Sequence, residues 1–157
     1  MSNGDEKKNV LEGRSVEHSQ VFMSQVMMPQ HAGPGGSFIH GGEIIKLMDT
    51  AAGLVALRHS HEQVVTLRIE GINFYNPIRV GNFVTIDALM TFTSNSSMEI
   101  QVNVKAEDVI NEKVWKALKA YFIFVALNKN GQAKSVPPLI VTSDEEGMYR
   151  FNPIFSD

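Results

Sequence analysis

No cysteine occurs in the 157 residues of this chain. That single absence excludes disulfides, thiolate metal sites and a cysteine nucleophile together, and it suits a reducing compartment. A basic run is also missing. With a net charge of −3 nothing is positioned to neutralise a phosphate backbone, so nucleic acid is not an expected partner. No apolar stretch approaches the ~20 residues of a membrane span. Met1 to Ser15 is polar and charged, without the apolar core of a secretory signal. The expectation is a cytoplasmic protein with neither membrane nor nucleic acid as partner. The histidines lack the spacing of metal ligands, so no metal is expected.

What is present is one domain's worth of patterned sequence. Residues 1–15 lack apolar periodicity and read as a disordered tail. Val16 to Met28 alternates apolar with polar and reads as a strand, closed by Pro29. Gln30 to His40 carries Pro34 and three glycines and reads as a loop. Glu43 to Ser60 is the one long helix, with Ile44, Leu47, Met48, Ala51, Val55 and Arg58 on one side. Only Glu43, Lys46 and Thr50 form a polar stripe, so other elements must wrap this helix. Downstream the period changes to two: Val64–Tyr75, Asn82–Thr93, Met98–Val109 and Trp115–Asn128 read as strands. Short turns join them, at Asn76-Pro77, Ser94–Ser97, Asn111-Glu112 and Asn130-Gly131. Strands so joined favour antiparallel pairing. The expected architecture is α+β, a curled antiparallel sheet of about five or six strands around one central helix. Residues 139–157 read as a C-terminal surface tail.

The chemistry concentrates where the glycine-rich loop ends. Gly41-Gly42 runs straight into the apolar helix, which carries Asp49 two turns in. The first N–H groups of a helix have no partner within it, and the macrodipole makes that end attractive to negative charge. Glycine lets a ligand approach the backbone closely. A helix start able to hold an oxyanion, with an acid nearby, fits acyl transfer. Asp49 is then a general base for water, or a nucleophile, and the bland alternative is a surface acid paired with Lys46 one turn earlier.

Four segments carry a resemblance: Met28-Pro29-Gln30-His31-Ala32 through His40-Gly41-Gly42, Lys46–Gly53, Val64–Phe74 with Pro77–Gly81, and Thr93–Ile100. In order and spacing the chain resembles the hot-dog-fold acyl-CoA thioesterases, of the YciA-like and cytosolic acyl-CoA hydrolase group. The resemblance spans the expected domain, residues 16–138. It implies hydrolysis of acyl-CoA to free acid and CoA, with Asp49 activating water and the Gly42 N–H donating to the oxyanion. Substrate contacts are expected from Ser37, His40 and Gly41; Arg79, Arg68 and Lys105 are candidates for the CoA phosphates, as is the Ser94 to Ser97 turn, with Ser96 and Ser97, through its hydroxyls and N–H groups. No cofactor is implied beyond the CoA of the substrate. The implied assembly is a homodimer with sites between subunits, extended to a trimer of dimers. One departure stands out: Gly33 follows Ala32 where the family has asparagine.

Rival readings remain open at this point. A hot-dog module that binds acyl-CoA as a signal lacks its usual DNA-binding segment here. A dehydratase wants a histidine four or five residues beyond the acid, and none stands there. In a structural protein of this fold, Asp49 would serve an ion pair alone.

Overall fold

A computed structural model describes residues 11–141. Most of the expected N-terminal tail (1–10) and C-terminal tail (142–157) lies outside the described residues. The elements are β1 (Arg14–Ser15), α1 (Val16–Ser19), β2 (Val21–Val26), a 3-10 turn (Pro29–His31), α2 (Gly41–Ser60), β3 (Gln63–Phe74), β4 (Phe83–Thr93), β5 (Ser97–Asp108), β6 (Lys113–Leu127) and β7 (Leu139–Ile140). β2 to β6 form one five-stranded antiparallel sheet in the order β2-β4-β5-β6-β3, with α2 against it. This is the α+β hot-dog arrangement.

Period-two alternation builds the concave wall. Val84, Ile86, Ala88 and Met90 of β4 stand opposite Ala106, Val104, Val102 and Ile100 of β5, and Val104, Val102, Ile100 and Met98 stand opposite Leu118, Ala120, Phe122 and Phe124 of β6. Against that wall α2 presents Ile44, Met48, Ala51, Ala52, Val55 and Ala56, all buried. Alanine pairs and Gly53 let the helix sit close: a Cβ on Gly53 would already touch the Phe124 ring at 3.5 Å. Burying a Leu- or Met-sized side chain contributes about 1.5–3 kcal/mol, so this face dominates the packing of the domain.

Several local expectations change. Val16–Ser19 is a turn of helix and not the start of a strand: Ser15 caps it, accepting from the His18 N–H at 3.3 Å, and Val16 and Ser19 are buried. The long helix begins two residues before Glu43, because His40 caps it. Arg58, expected on the buried side, is exposed and donates to the Gln20 carbonyl at 2.8 Å. Nor is the helix fully wrapped, since Leu54 and Leu57 remain 41% and 42% exposed. Residues 14–15 and 139–140, each placed in a tail by sequence, pair with each other as parallel strands.

His59 joins this closing strap to the core. It is fully buried at the end of α2, and its Nε2 lies 2.6 Å from the Pro137 carbonyl oxygen. Burial pushes its pKa below the ordinary 6.5, and the Pro137 bond only partly offsets that. The folded ring therefore takes up a proton less readily than the unfolded one. Its contribution to stability is full above about 6.5 and is lost as pH falls below that value toward the folded pKa. Thermal unfolding followed between pH 7.5 and 5 will show a melting temperature falling by a few degrees on acidification, and His59→Gln will flatten that slope.

Candidate active site

The start of α2 is closed by imidazole. His40 Nδ1 accepts from the Gly42 N–H at 3.0 Å, and the His40 carbonyl accepts from the Glu43 N–H at 2.9 Å. One step back, the His31 carbonyl holds the His40 N–H, and His31 Nδ1 accepts from the Met28 N–H, each at 2.9 Å. Both rings thus act as acceptors at Nδ1, which puts the proton of the neutral ring on Nε2. The cap also explains the glycine: a Cβ at position 42 would stand 3.1 Å from His40 Nδ1. Sequence reasoning gave the Gly42 N–H to an oxyanion. In this structure His40 occupies it, and Gly41, opening the helix, has no carbonyl a turn earlier to bond.

Asp49 is half-buried on the flank of α2. Its Oδ1 accepts from the Thr66 hydroxyl of β3 at 2.7 Å, so the partner is a neutral donor and not Lys46. Nothing in the sequence links positions 49 and 66; only the packing of α2 along β3 brings them together. At the other end of the same strand, a Cβ on Gly41 would meet the Phe74 ring at 3.5 Å. The helix therefore runs antiparallel to β3, with Gly41 at Phe74 and Asp49 at Thr66.

The remaining candidates divide into two groups. Ser37, His40, Gly41 and Arg79 lie at the helix start, where Phe38 bridges to Arg79 and the Ser37 carbonyl accepts from the Val80 N–H at 3.1 Å. Arg79 stacks over the Phe38 ring, 4.6 Å from its centroid. Ser96 and Ser97 are elsewhere, in the turn after β4 and at the start of β5, where the Ser96 carbonyl accepts from the Ala126 N–H at 3.0 Å. The eleven residues of β4 stand between the two groups, roughly 35 Å of extended chain. One chain does not bring Arg79 and the serines together. Arg68 is engaged with Glu70, Nε to Oε1 2.7 Å. Among the described residues no group of three or more His, Cys, Asp or Glu could hold a metal, and no helix is long and apolar enough to cross a membrane.

Comparison with known proteins gives this geometry a context. The sequence profile of the thioesterase superfamily matches residues 36–112, from the glycine loop to the β5–β6 turn. Mouse cytosolic acyl coenzyme A thioester hydrolase is 41% identical over 148 residues, which is 92% of this chain and 39% of the relative. The chain thus spans about two fifths of the length of the curated relatives it matches first. An acyl-CoA hydrolase from Staphylococcus aureus, solved with butyryl coenzyme A, coenzyme A and coenzyme A disulfide, superposes with a TM-score of 0.80 at 29% identity. That match covers 87% of this chain and 83% of the other. A hexameric thioesterase from Yersinia pestis gives 0.68 at 29% identity, over 73% of this chain and 93% of the other.

The imidazole cap is directly testable. His40→Ala removes the acceptor and is expected to cost about 1 kcal/mol of unfolding free energy, while His40→Asn, with a side-chain oxygen at the same position, recovers most of it. Urea denaturation of the three proteins decides this; equal stability of His40→Ala and wild type would show that the bond carries no weight.

Proposed function

The chain belongs to the thioesterase superfamily, and from that membership we propose that it hydrolyses an acyl-CoA thioester to the free carboxylic acid and CoA. The observation that carries the reading is the aimed carboxylate. Asp49 has one oxygen held by Thr66, which fixes its orientation and leaves the other to take a proton from water. The water oxygen attacks the thioester carbon, and the carbonyl oxygen becomes negative. That charge is met at the start of a 20-residue helix, by the macrodipole and the Gly42 N–H. The oxyanion takes the place of His40 Nδ1, an exchange of one acceptor for a stronger, charged one. The tetrahedral intermediate collapses and the CoA thiolate leaves. A thiolate is a good leaving group, so the scheme needs no strong general acid. CoA enters as part of the substrate, and no other cofactor is assigned.

The same geometry argues for two chains per site. Gly42 and Asp49 are seven residues apart on one helix, about 10 Å along its axis, too far for an oxyanion donor and the base of one attacking water. β3 supplies the remedy. It is an edge strand of the sheet, and its Val65, Leu67, Ile72 and Phe74 are between 39% and 60% exposed. An unpaired apolar edge is a template for another strand. Antiparallel pairing of β3 with its copy about Glu70 sets Thr66 opposite the second chain's Phe74. Asp49 then comes beside the other copy's Gly41 and Gly42. Arg68 neutralises the Glu70 carboxylate at the axis. We read the assembly as such a dimer, and as a trimer of dimers on the likeness to a thioesterase described as hexameric. There Arg79 and the Ser96–Ser97 turn belong to different chains around one substrate.

Thiol release from a panel of acyl-CoAs measures the chemistry. Asp49→Ala is expected to lose at least about 10²-fold in kcat while remaining folded, and Thr66→Val a smaller part of that. Binding of acyl-CoA by the wild type without any thiol release would replace hydrolysis by ligand sensing. Complementation tests the shared site. Gly42→Pro deletes the N–H within the first helical turn, where the helix backbone accepts proline, and displaces the His40 ring that caps it. Unfolded together and refolded, Asp49→Ala and Gly42→Pro chains form mixed dimers with one intact site, restoring about a quarter of the wild-type rate for random pairing of two-fold dimers. No recovery on mixing would place the whole site in one chain.

A further inference from the structure

The side of α2 that faces away from the sheet stays open where the rest of the helix is packed. Leu54 and Leu57, three residues apart and so neighbours on one helix face, are 41% and 42% exposed. Thr50 and Lys46 continue the same exposed stripe towards the helix start. At the other end stands Arg58, exposed, with its guanidinium on the Gln20 carbonyl at 2.8 Å. Taken from the C-terminal end, the stripe is a cation, two leucines, a hydroxyl and a second cation. Two leucines are far short of the about 800 Å² that each partner gives to a stable interface. An occupant held there by its own chain needs no such area, because a short tether supplies about millimolar effective concentration.

The chain delivers such an occupant to this place. β7 runs parallel to β1, Ile140 against Ser15, and β1 leads directly into α1, which packs on α2. The chain therefore leaves β7 in the direction by which β1 enters α1, on the flank of the helix where Arg58 meets Gln20. His59, with its Nε2 at 2.6 Å from the Pro137 carbonyl oxygen, ties that exit to the last turn of α2. Sixteen residues follow Val141. Asp144, Glu145 and Glu146 come first in them, and Tyr149, Phe151 and Phe155 follow. Acid before aromatic is the order in which the stripe presents its cation and its leucines. The reach is sufficient. Seven residues from Val141 to Met148 span up to about 23 Å, whereas Arg58 to Leu54 is about 6 Å of helix axis. We propose that residues 144–155 dock on the outward side of α2, with the acids at Arg58 and the aromatic side chains over Leu57 and Leu54. The chain thereby covers its own central helix on the side that the sheet leaves open. This holds whatever reaction the site performs.

The lack of cysteine makes the contact directly readable, since any bridge that forms joins two introduced thiols. Leu57→Cys is combined in the full chain with Tyr149→Cys, Phe151→Cys or Phe155→Cys, and each pair is oxidised with glutathione disulfide. At least one pair is expected to close within the chain at least about tenfold faster than the same tail cysteine paired with Ile110→Cys. Ile110, 92% exposed at the β5–β6 turn, reports random encounter. Equal rates at the two positions, or bridges only between two chains, would overturn the proposal. A double-mutant cycle on the full chain measures the energetic side. Leu57→Ser is made with the tail unchanged and with Tyr149→Ser, Phe151→Ser and Phe155→Ser together. With the unchanged tail Leu57→Ser is expected to lower the melting temperature by a few degrees, and with the serine tail by much less. The helix-propensity part of the substitution is common to both backgrounds and cancels in the cycle. Equal shifts in the two backgrounds would mean that the leucine and the tail do not meet.

Discussion

Burying the broad apolar face of one long helix is the constraint from which the rest of the domain follows. The polar stripe of α2 is narrow, and the chain answers by curling one antiparallel sheet against its apolar face while Lys46, Thr50, Leu54 and Leu57 stay exposed on the other. The curl fixes where each end of the helix emerges. Its C-terminal end is sealed, with His59 buried against Pro137 and the short β1–β7 pair beside it. Its N-terminal end opens outward, ringed by glycines, histidines and aromatic side chains. The polar chemistry of the molecule gathers there because it is the one place where the buried helix still has backbone donors to give.

Those donors are not left idle. His40 and His31 stitch the loop before α2 to itself through ring nitrogens that accept from main-chain N–H groups. The loop is thus already set for an acceptor, and a neutral nitrogen stands where a developing negative charge is proposed to come. A site organised around a weaker guest need not reorganise for a stronger one, which is the physical content of electrostatic preorganisation. The same reasoning applies to Thr66 under the proposed mechanism, in which it orients Asp49 without adding a charge that would compete with a base there.

Much of this was legible in the sequence, and the reasons differ by element. The change of period at Val64 marked β3 to β6, since alternation follows from the pleat itself. The Gly41-Gly42 junction and Asp49 stood out because a helix start and a lone acid on an apolar helix are local facts. What the sequence does not carry is tertiary. Val16–Ser19 alternates like a strand but is capped by Ser15 into a helical turn. Arg58 falls on the apolar side by angle, yet its long stem carries the guanidinium out to Gln20. Thr66 looked like any strand threonine until α2 was laid along it. His40 reads from sequence as a loop residue or a ligand contact, although a helix start is where a ring nitrogen can act as a cap. The distance between Arg79 and the Ser96–Ser97 turn could be seen only once β4 was drawn out between them.

The exposed edge of β3 carries a consequence for how this protein is controlled by quantity alone. If the base and the oxyanion donor of each site come from different chains, a lone chain has a complete fold and no complete catalyst. Output then scales with the square of chain concentration below the dimer dissociation constant, and with its first power above it. A cell that halves its supply of such a protein well below that threshold cuts turnover about fourfold, without any effector or modification, by mass action at one strand edge.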